Sequence, residues 1–178
     1  GNVEETGTPR NDIFFRDNKN IVEKVKRFYG IDETTKVVLY APTFRNNYIK
    51  DPYDIDIELI LKTLKKRFGN EYVCLFRLHP NIVYTADKYR YDSRIINAGF
   101  YEDMMELLVA ADVLITDYSS SVYDYILTQK KVFIYANDIE RYVNEDRGVN
   151  ISFDELPFQI ARSNEELISD IMCYDEEV

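Results

Sequence analysis

Residues 111–120 read Ala-Asp-Val-Leu-Ile-Thr-Asp-Tyr-Ser-Ser, and this stretch decides the fold. The segment Asp112–Thr116 has an apolar, β-branched centre that scarcely alternates with polar residues, which is typical of a parallel strand buried on both faces. It ends at Asp117, and a helical pattern starts at the serines that follow. A buried strand that leads through a polar turn into a helix is the repeating unit of α/β proteins.

The same alternation of strand and helix patterns extends from residue 20 to residue 135. Further strands are predicted over Lys36–Ala41, Glu71–Leu78 and Lys131–Tyr135, with a weaker one over Arg94–Ile96. Amphipathic helical faces are predicted over Ile21–Tyr29, Ile57–Phe68, Tyr101–Val109 and Val122–Ile126, and over a segment that Ser163 and Glu166 open as a capping box. Gly30 and Gly69 are predicted to end the first two helices.

This order favours right-handed βαβ units and a parallel sheet covered on both faces. The predicted fold class is α/β: a doubly wound parallel sheet of the Rossmann-like type. One domain is expected over residues 1–178, with the sheet and its helices in 17–178 and a linker segment in 1–16. Residues 1–16 and 136–160 show no regular pattern.

The composition argues against several classes of function. A net charge of −10, from 22 basic and 32 acidic residues, disfavours a nucleic-acid-binding surface and a polybasic membrane patch, because both need many lysines and arginines. No apolar run is long enough to cross a bilayer, and no signal-peptide pattern opens the chain. Cys74 and Cys173 lack zinc-site spacing and lie in apolar stretches, so we expect two buried thiols, no metal site and a reducing compartment.

Polar residues follow three of the predicted strands, at the edge where ligands bind in such sheets. The first strand is followed by Pro42-Thr43-Phe44-Arg45, the second by Arg77-Leu78-His79-Pro80, and the third by residues 116–121, Thr-Asp-Tyr-Ser-Ser-Ser. Three strand ends therefore offer guanidinium, imidazole and hydroxyl groups to one edge of the sheet.

The three serines at 119–121, called the serine turn below, predict a phosphate-binding site. A helix N-terminus presents unpaired N–H groups there, and the serine hydroxyls add hydrogen-bond donors. Neither GxGxxG nor GxxxxGK[ST] occurs in the chain. The alternative is that one serine is an ordinary N-cap. His79, the only histidine, could donate to a phosphate oxygen and protonate a leaving group, or it could be a structural loop residue. Arg45 could instead pair with a surface carboxylate.

Three motifs together resemble the CDP-glycerol glycerophosphotransferase family, which builds teichoic acids. They are Tyr-Ala-Pro-Thr-Phe-Arg at 40–45, Arg-Leu-His-Pro at 77–80 and the string at 111–120. Residues 7–12, Asp138, Tyr142 and residues 147–148 extend the likeness over nearly the whole chain. The resemblance implies the C-terminal, donor-binding half of a GT-B fold, in an enzyme that moves an alditol phosphate from CDP to a lipid-linked acceptor and releases CMP.

The resemblance also implies roles for individual residues. His79 would be catalytic, in contact with the donor diphosphate and assisting loss of CMP. Substrate-binding residues are expected at the three strand ends: Thr43, Arg45, Arg77, Thr116, Asp117, Ser119 and Ser120. The implied partners are CDP-glycerol or a related CDP-alditol, a lipid-linked glycerol-phosphate acceptor and the N-terminal half of the same enzyme. From charge and composition we expect no nucleic acid, no metal site and no cofactor.

The chain departs from the family because it has no His-Gly-Thr-Pro segment, the motif that supplies a second histidine from the N-terminal half. We therefore expect a fragment of a larger, peripherally membrane-associated enzyme on the cytoplasmic face, and expect this domain alone to be soluble and inactive. Two alternatives remain: a GT-B glycosyltransferase domain with a nucleotide-sugar donor, and a non-catalytic, flavodoxin-like binding module.

Overall fold

A computed structural model of the chain describes residues 7–45, 53–78, 91–139 and 158–175. Six parallel strands form one sheet in it. The strands are β1 (Lys36–Ala41), β2 (Tyr72–Phe76), β3 (Ile95–Asn97), β4 (Val113–Thr116), β5 (Lys131–Tyr135) and β6 (Ile160–Ala161). Their order in the sheet is β3-β2-β1-β4-β5-β6, so the chain reverses its direction of winding between β1 and β4.

Helices cover both faces of this sheet. The helices are α1 (Lys19–Tyr29), α2 (Ile57–Phe68), α3 (Met104–Ala110), α4 (Ser121–Tyr125) and α5 (Asn164–Cys173), with 3₁₀ helices at Pro9–Phe15 and Ile126–Thr128. Buried residues of α2 and α5 belong to the core on one face, and those of α1, α3 and α4 belong to the core on the other. The predicted doubly wound parallel sheet is confirmed.

Strand β1 lies at the centre of the fold and divides its side chains between the two cores. Val38 and Tyr40 belong to the core with α2 and α5, and Val37 and Leu39 belong to the opposite core. All four side chains are at most 1% exposed. Burial on both faces explains why the sequence of this strand is continuously apolar rather than alternating.

The ends of three helices match their predicted signals. Gly30 and Gly69 follow α1 and α2 in the left-handed conformation, with φ of 66° and 77°, which a glycine adopts without steric cost. Ser163 caps α5, since its side chain accepts a hydrogen bond from the backbone N–H of Glu166 at 3.2 Å. Local chemistry therefore sets these boundaries.

Three expectations need correction. Residues 1–16 were expected to be irregular, but Pro9–Phe15 forms a 3₁₀ helix. The short strand β6 was not predicted, because two residues are too few to show a periodic pattern. Cys74 is buried as expected, whereas Cys173 is exposed, because it ends α5 beyond the last residue of that helix packed in the core.

Within the described ranges, no helix combines the length and hydropathy needed to cross a membrane.

Candidate functional site

A cleft of about 730 Å³ opens at the carboxyl edge of the sheet, beside the reversal between β1 and β4. Open α/β sheets bind their ligands at this place, because the connections on either side of the reversal diverge and leave a crevice. The polar residues that line the cleft come from the first 3₁₀ helix, from three loops and from α4: Arg10, Arg77, Glu102, Asp103, Ser119, Ser120, Ser121 and Asp124.

Arg77 brings a half-buried positive charge to this cleft. Its Nη1 donates to the carbonyl oxygens of Ala98 at 2.9 Å and Tyr101 at 2.6 Å, which fix the guanidinium. Within the described part of the chain, no carboxylate forms an ion pair with it. Burial lowers the pKa of Arg77, and the charges of Tyr29 and Asp103 oppose that effect. An anion in the cleft would find a fixed cation that none of the described carboxylates contacts directly.

The serine turn lies across the same cleft. The Oγ atoms of Ser119 and Ser121 are 2.8 Å apart, and the backbone N–H of Ser121 donates to Ser119 Oγ at 3.3 Å. Ser120 is exposed and precedes α4, but its side chain makes no capping hydrogen bond. The N-cap alternative therefore does not describe Ser120, which lines the cleft, whereas Ser119 does accept a backbone N–H at the start of α4.

Arg45 lies in a buried ion cluster behind the cleft, and only 3% of it is exposed. Its Nη2 donates to Asp117 Oδ2 at 2.8 Å, and its Nε donates to Asp138 Oδ2 at 2.8 Å. The guanidinium also lies 4.8 Å from the centre of the Tyr118 ring. Burial alone would lower the pKa of Arg45, but the hydrogen bond to Asp138 and the charge of Asp117 outweigh it and raise this pKa above its usual value.

Two threonines complete the connection between the strand ends. Asp117 accepts hydrogen bonds from the backbone N–H of Thr43 at 2.8 Å and from its hydroxyl at 2.6 Å. The Thr116 hydroxyl is fully buried and donates to the carbonyl of Ala41 at 2.7 Å. These contacts join the loop after β1 to the loop after β4, on which the serines lie.

The structure therefore separates the predicted site residues into two groups. Arg77, Ser119 and Ser120 line the cleft. Thr43, Arg45, Thr116 and Asp117 make their described hydrogen bonds within the protein, behind the cleft. His79 lies outside the described residues, directly after Leu78 of the cleft wall, and its role stays a prediction.

Sequence reasoning missed an ion pair at the rim of the cleft. Arg10 donates from Nε to Asp124 Oδ2 at 3.2 Å and from Nη2 to Asp124 Oδ1 at 3.3 Å. The two residues are 114 positions apart, and no periodicity or local motif connects them. The described residues contain no cluster of three potential metal ligands.

A model of the family described as CDP-Glycerol:Poly(glycerophosphate) glycerophosphotransferase matches residues 1–178. The chain is 34% identical to a teichoic acid poly(glycerol phosphate) polymerase of Bacillus subtilis (strain 168), over 94% of the chain and 23% of that protein. It is 33% identical to a teichoic acid poly(ribitol-phosphate) polymerase of Bacillus spizizenii (strain ATCC 23059 / NRRL B-14472 / W23), over 94% of the chain and 28% of that protein. A teichoic acid glycerol-phosphate transferase of Staphylococcus aureus (strain NCTC 8325 / PS 47) is 30% identical over 97% of the chain and 45% of its own length.

Among solved structures, the chain is similar to teichoic acid polymerases as well. A structure of the wall teichoic acid polymerase TagF superposes with a TM-score of 0.74 at 30% identity, covering 95% of this chain and 42% of that one. A TagF variant soaked with CDPG gives 0.74 at 31% identity, with the same coverage. The chain thus spans less than half the length of each of these relatives.

Proposed function

Because the chain belongs to the CDP-glycerol:poly(glycerophosphate) glycerophosphotransferase family, we propose that it is the part of such an enzyme that binds the CDP-alditol donor. The observation that carries this proposal is Arg77, a guanidinium fixed in the cleft beside the serine turn without a carboxylate partner in the described part of the chain. Guanidinium and hydroxyl groups are suitable donors for diphosphate oxygens.

The residues of the site divide by function. Arg77, Ser119 and Ser120 contact the diphosphate, and His79 contacts it from the loop that Arg77 begins. Thr43, Arg45, Thr116 and Asp117 hold the strand ends so that these donors keep their positions. A site built in this way is preorganised, because its supporting hydrogen bonds exist before the ligand arrives.

In the whole enzyme, the donor would react with a hydroxyl of a lipid-linked acceptor. The hydroxyl oxygen attacks the phosphorus that carries the alditol, and the bond from this phosphorus to the oxygen shared with CMP breaks. His79 would protonate the departing CMP oxygen, while a base from the N-terminal half takes the proton of the hydroxyl. One half of a cleft does not orient both substrates, so we expect this chain alone to be inactive.

We infer that the whole enzyme reaches its lipid-linked acceptor as a peripheral protein at the cytoplasmic face of the membrane. The relatives include glycerol-phosphate and ribitol-phosphate polymerases, so the proposed donor class is a CDP-alditol rather than CDP-glycerol alone. The CDPG soak of the TagF variant supports CDP-glycerol as the first ligand to test.

Calorimetric titration of the chain with CDP-glycerol, CMP and UDP-glucose tests the proposal. We expect CDP-glycerol to bind most tightly, and Arg77→Gln to weaken it by about ten- to a hundredfold, since hydrogen bonds to charged groups contribute about 1.5–3 kcal/mol. Arg94→Gln is the matched control, because Arg94 is a half-exposed arginine outside the cleft. A melting curve of each variant shows whether it is folded.

The same titration separates the alternatives. Preference for UDP-glucose would contradict the proposal and support a glycosyltransferase with a nucleotide-sugar donor. If the chain shows no measurable binding of any of the three ligands, the result would support the flavodoxin-like binding module. If the folded Arg77→Gln variant binds CDP-glycerol as tightly as wild type does, the donor site does not lie in this cleft.

A further inference from the structure

The linker segment contributes part of the cleft wall. Its 3₁₀ helix, Pro9–Phe15, has a local hydrogen bond at each end: the N–H of Asn11 donates to the carbonyl of Thr8 at 2.9 Å, and Asn18 Nδ2 donates to the carbonyl of Ile13 at 2.7 Å. Phe14 packs against the core on the α1 face. The segment is therefore part of the domain surface, and this fixed backbone carries Arg10 to the cleft.

Asp124 orients the guanidinium of Arg10. Both carboxylate oxygens of Asp124 accept from Arg10, and this carboxylate is itself only 10% exposed. A bidentate pair of this kind fixes the plane of a guanidinium. The Arg10 side chain remains 56% exposed, and its Nη1 makes no hydrogen bond within the described residues.

Because its guanidinium is oriented and partly exposed, Arg10 is a second arginine that the cleft offers to the ligand. Arg77 uses Nη1 on two carbonyls, which leaves its Nε and Nη2 groups for the oxygens of a diphosphate. Arg10 lines the same cleft and has N–H groups available beside the serine turn. The other charged groups of the wall are acidic: Asp103 accepts from the first backbone N–H groups of α3, and Glu102 is exposed.

We propose that Arg10 is a further donor-binding residue, which contacts the diphosphate while Asp124 holds its guanidinium in position. The inference rests on the proposed function of the cleft. Its consequence is that the 3₁₀ helix Pro9–Phe15, which carries Arg10, takes part in donor binding.

A double-mutant cycle tests this inference with CDP-glycerol as the probe. Arg10→Gln is expected to weaken binding by about ten- to a hundredfold, as for the loss of a charged hydrogen-bond donor. Part of that loss could arise because Asp124 is left without its cation and repels the phosphates. The double variant Arg10→Gln/Asp124→Asn removes that repulsion. We expect it to bind CDP-glycerol much more weakly than wild type does, because the contact from Arg10 is still missing.

Arg16→Gln is the matched control, since Arg16 lies on the same segment outside the cleft and is 72% exposed. Wild-type affinity in Arg10→Gln, or recovery of wild-type affinity in the double variant, would overturn the inference and leave the proposed function intact. Failure of the wild-type chain to bind CDP-glycerol would overturn the proposed function and this inference with it.

Discussion

Replacing Arg45 by methionine should destabilise the domain more than any exposed ion-pair substitution. Among the described residues, the guanidinium donates to Asp117, to both oxygens of Asp138 and to the carbonyl of Thr43. Removing one partner of a buried ion pair typically costs about 3–5 kcal/mol, because the opposite charge stays buried. Thr43 would still donate to Asp117, and Tyr118 to Asp138, so we expect the lower end of that range.

A loss of about 3 kcal/mol corresponds to a fall of about 6–12 °C in the melting temperature of a domain of this size. Differential scanning calorimetry measures this fall, and urea denaturation gives the free energy of unfolding independently. Arg16→Met is the control, because the Arg16–Asp12 pair spans 3.9 Å between exposed side chains and should contribute less than about 1 kcal/mol. An Arg45→Met variant that melts with the control would refute the argument that this cluster holds the strand ends together.

Three further results are expected. In the full-length enzyme, His79→Gln should lower kcat by about a hundredfold or more, as for loss of a general acid, and an unchanged kcat in a transfer assay would contradict the assignment. Burial raises the pKa of the Cys74 thiol to about 12, so iodoacetamide should label the exposed Cys173 alone in the native chain and both thiols in urea, as mass spectrometry would show. The hydrogen bond from Lys24 lowers the pKa of Glu106, so this contact stabilises the fold above the pKa of an unfolded glutamate and loses that effect as the pH falls through the lowered value. Wild type should therefore melt above Lys24→Met at neutral pH, and this difference should shrink as the pH falls through the lowered pKa of Glu106; a difference that stays constant with pH would count against the contact.

The fold was predictable because its strands are defined by their own composition. The segment predicted over Lys36–Ala41 is continuously apolar or aromatic from Val37 onward, and the observed strand has the same bounds. Gly30 and Ser163 carry the signals for helix ends within the helices' own sequence. The strand Ile160–Ala161 carries no such signal, because its place at the sheet edge comes from pairing with β5.

The cleft was predictable in part for a related reason. Parallel strands bring their carboxyl ends to one edge, so the motifs containing Arg77 and Ser119 could be assigned to one site from the sequence. The direction of each side chain could not be assigned. Arg45 turns away to Asp117 and Asp138, which are 72 and 93 positions distant, and only the assembled sheet brings these charges together.

The location of the donor site is best tested by a crystal structure of this chain with CDP-glycerol. We predict that the diphosphate lies in the cleft between β1 and β4, with its oxygens within hydrogen-bond distance of Arg77 and of Ser119 or Ser120. Arg45 should keep its bonds to Asp117 and Asp138 in that complex. A diphosphate bound elsewhere on the domain, with this cleft empty, would show that the donor site is not here.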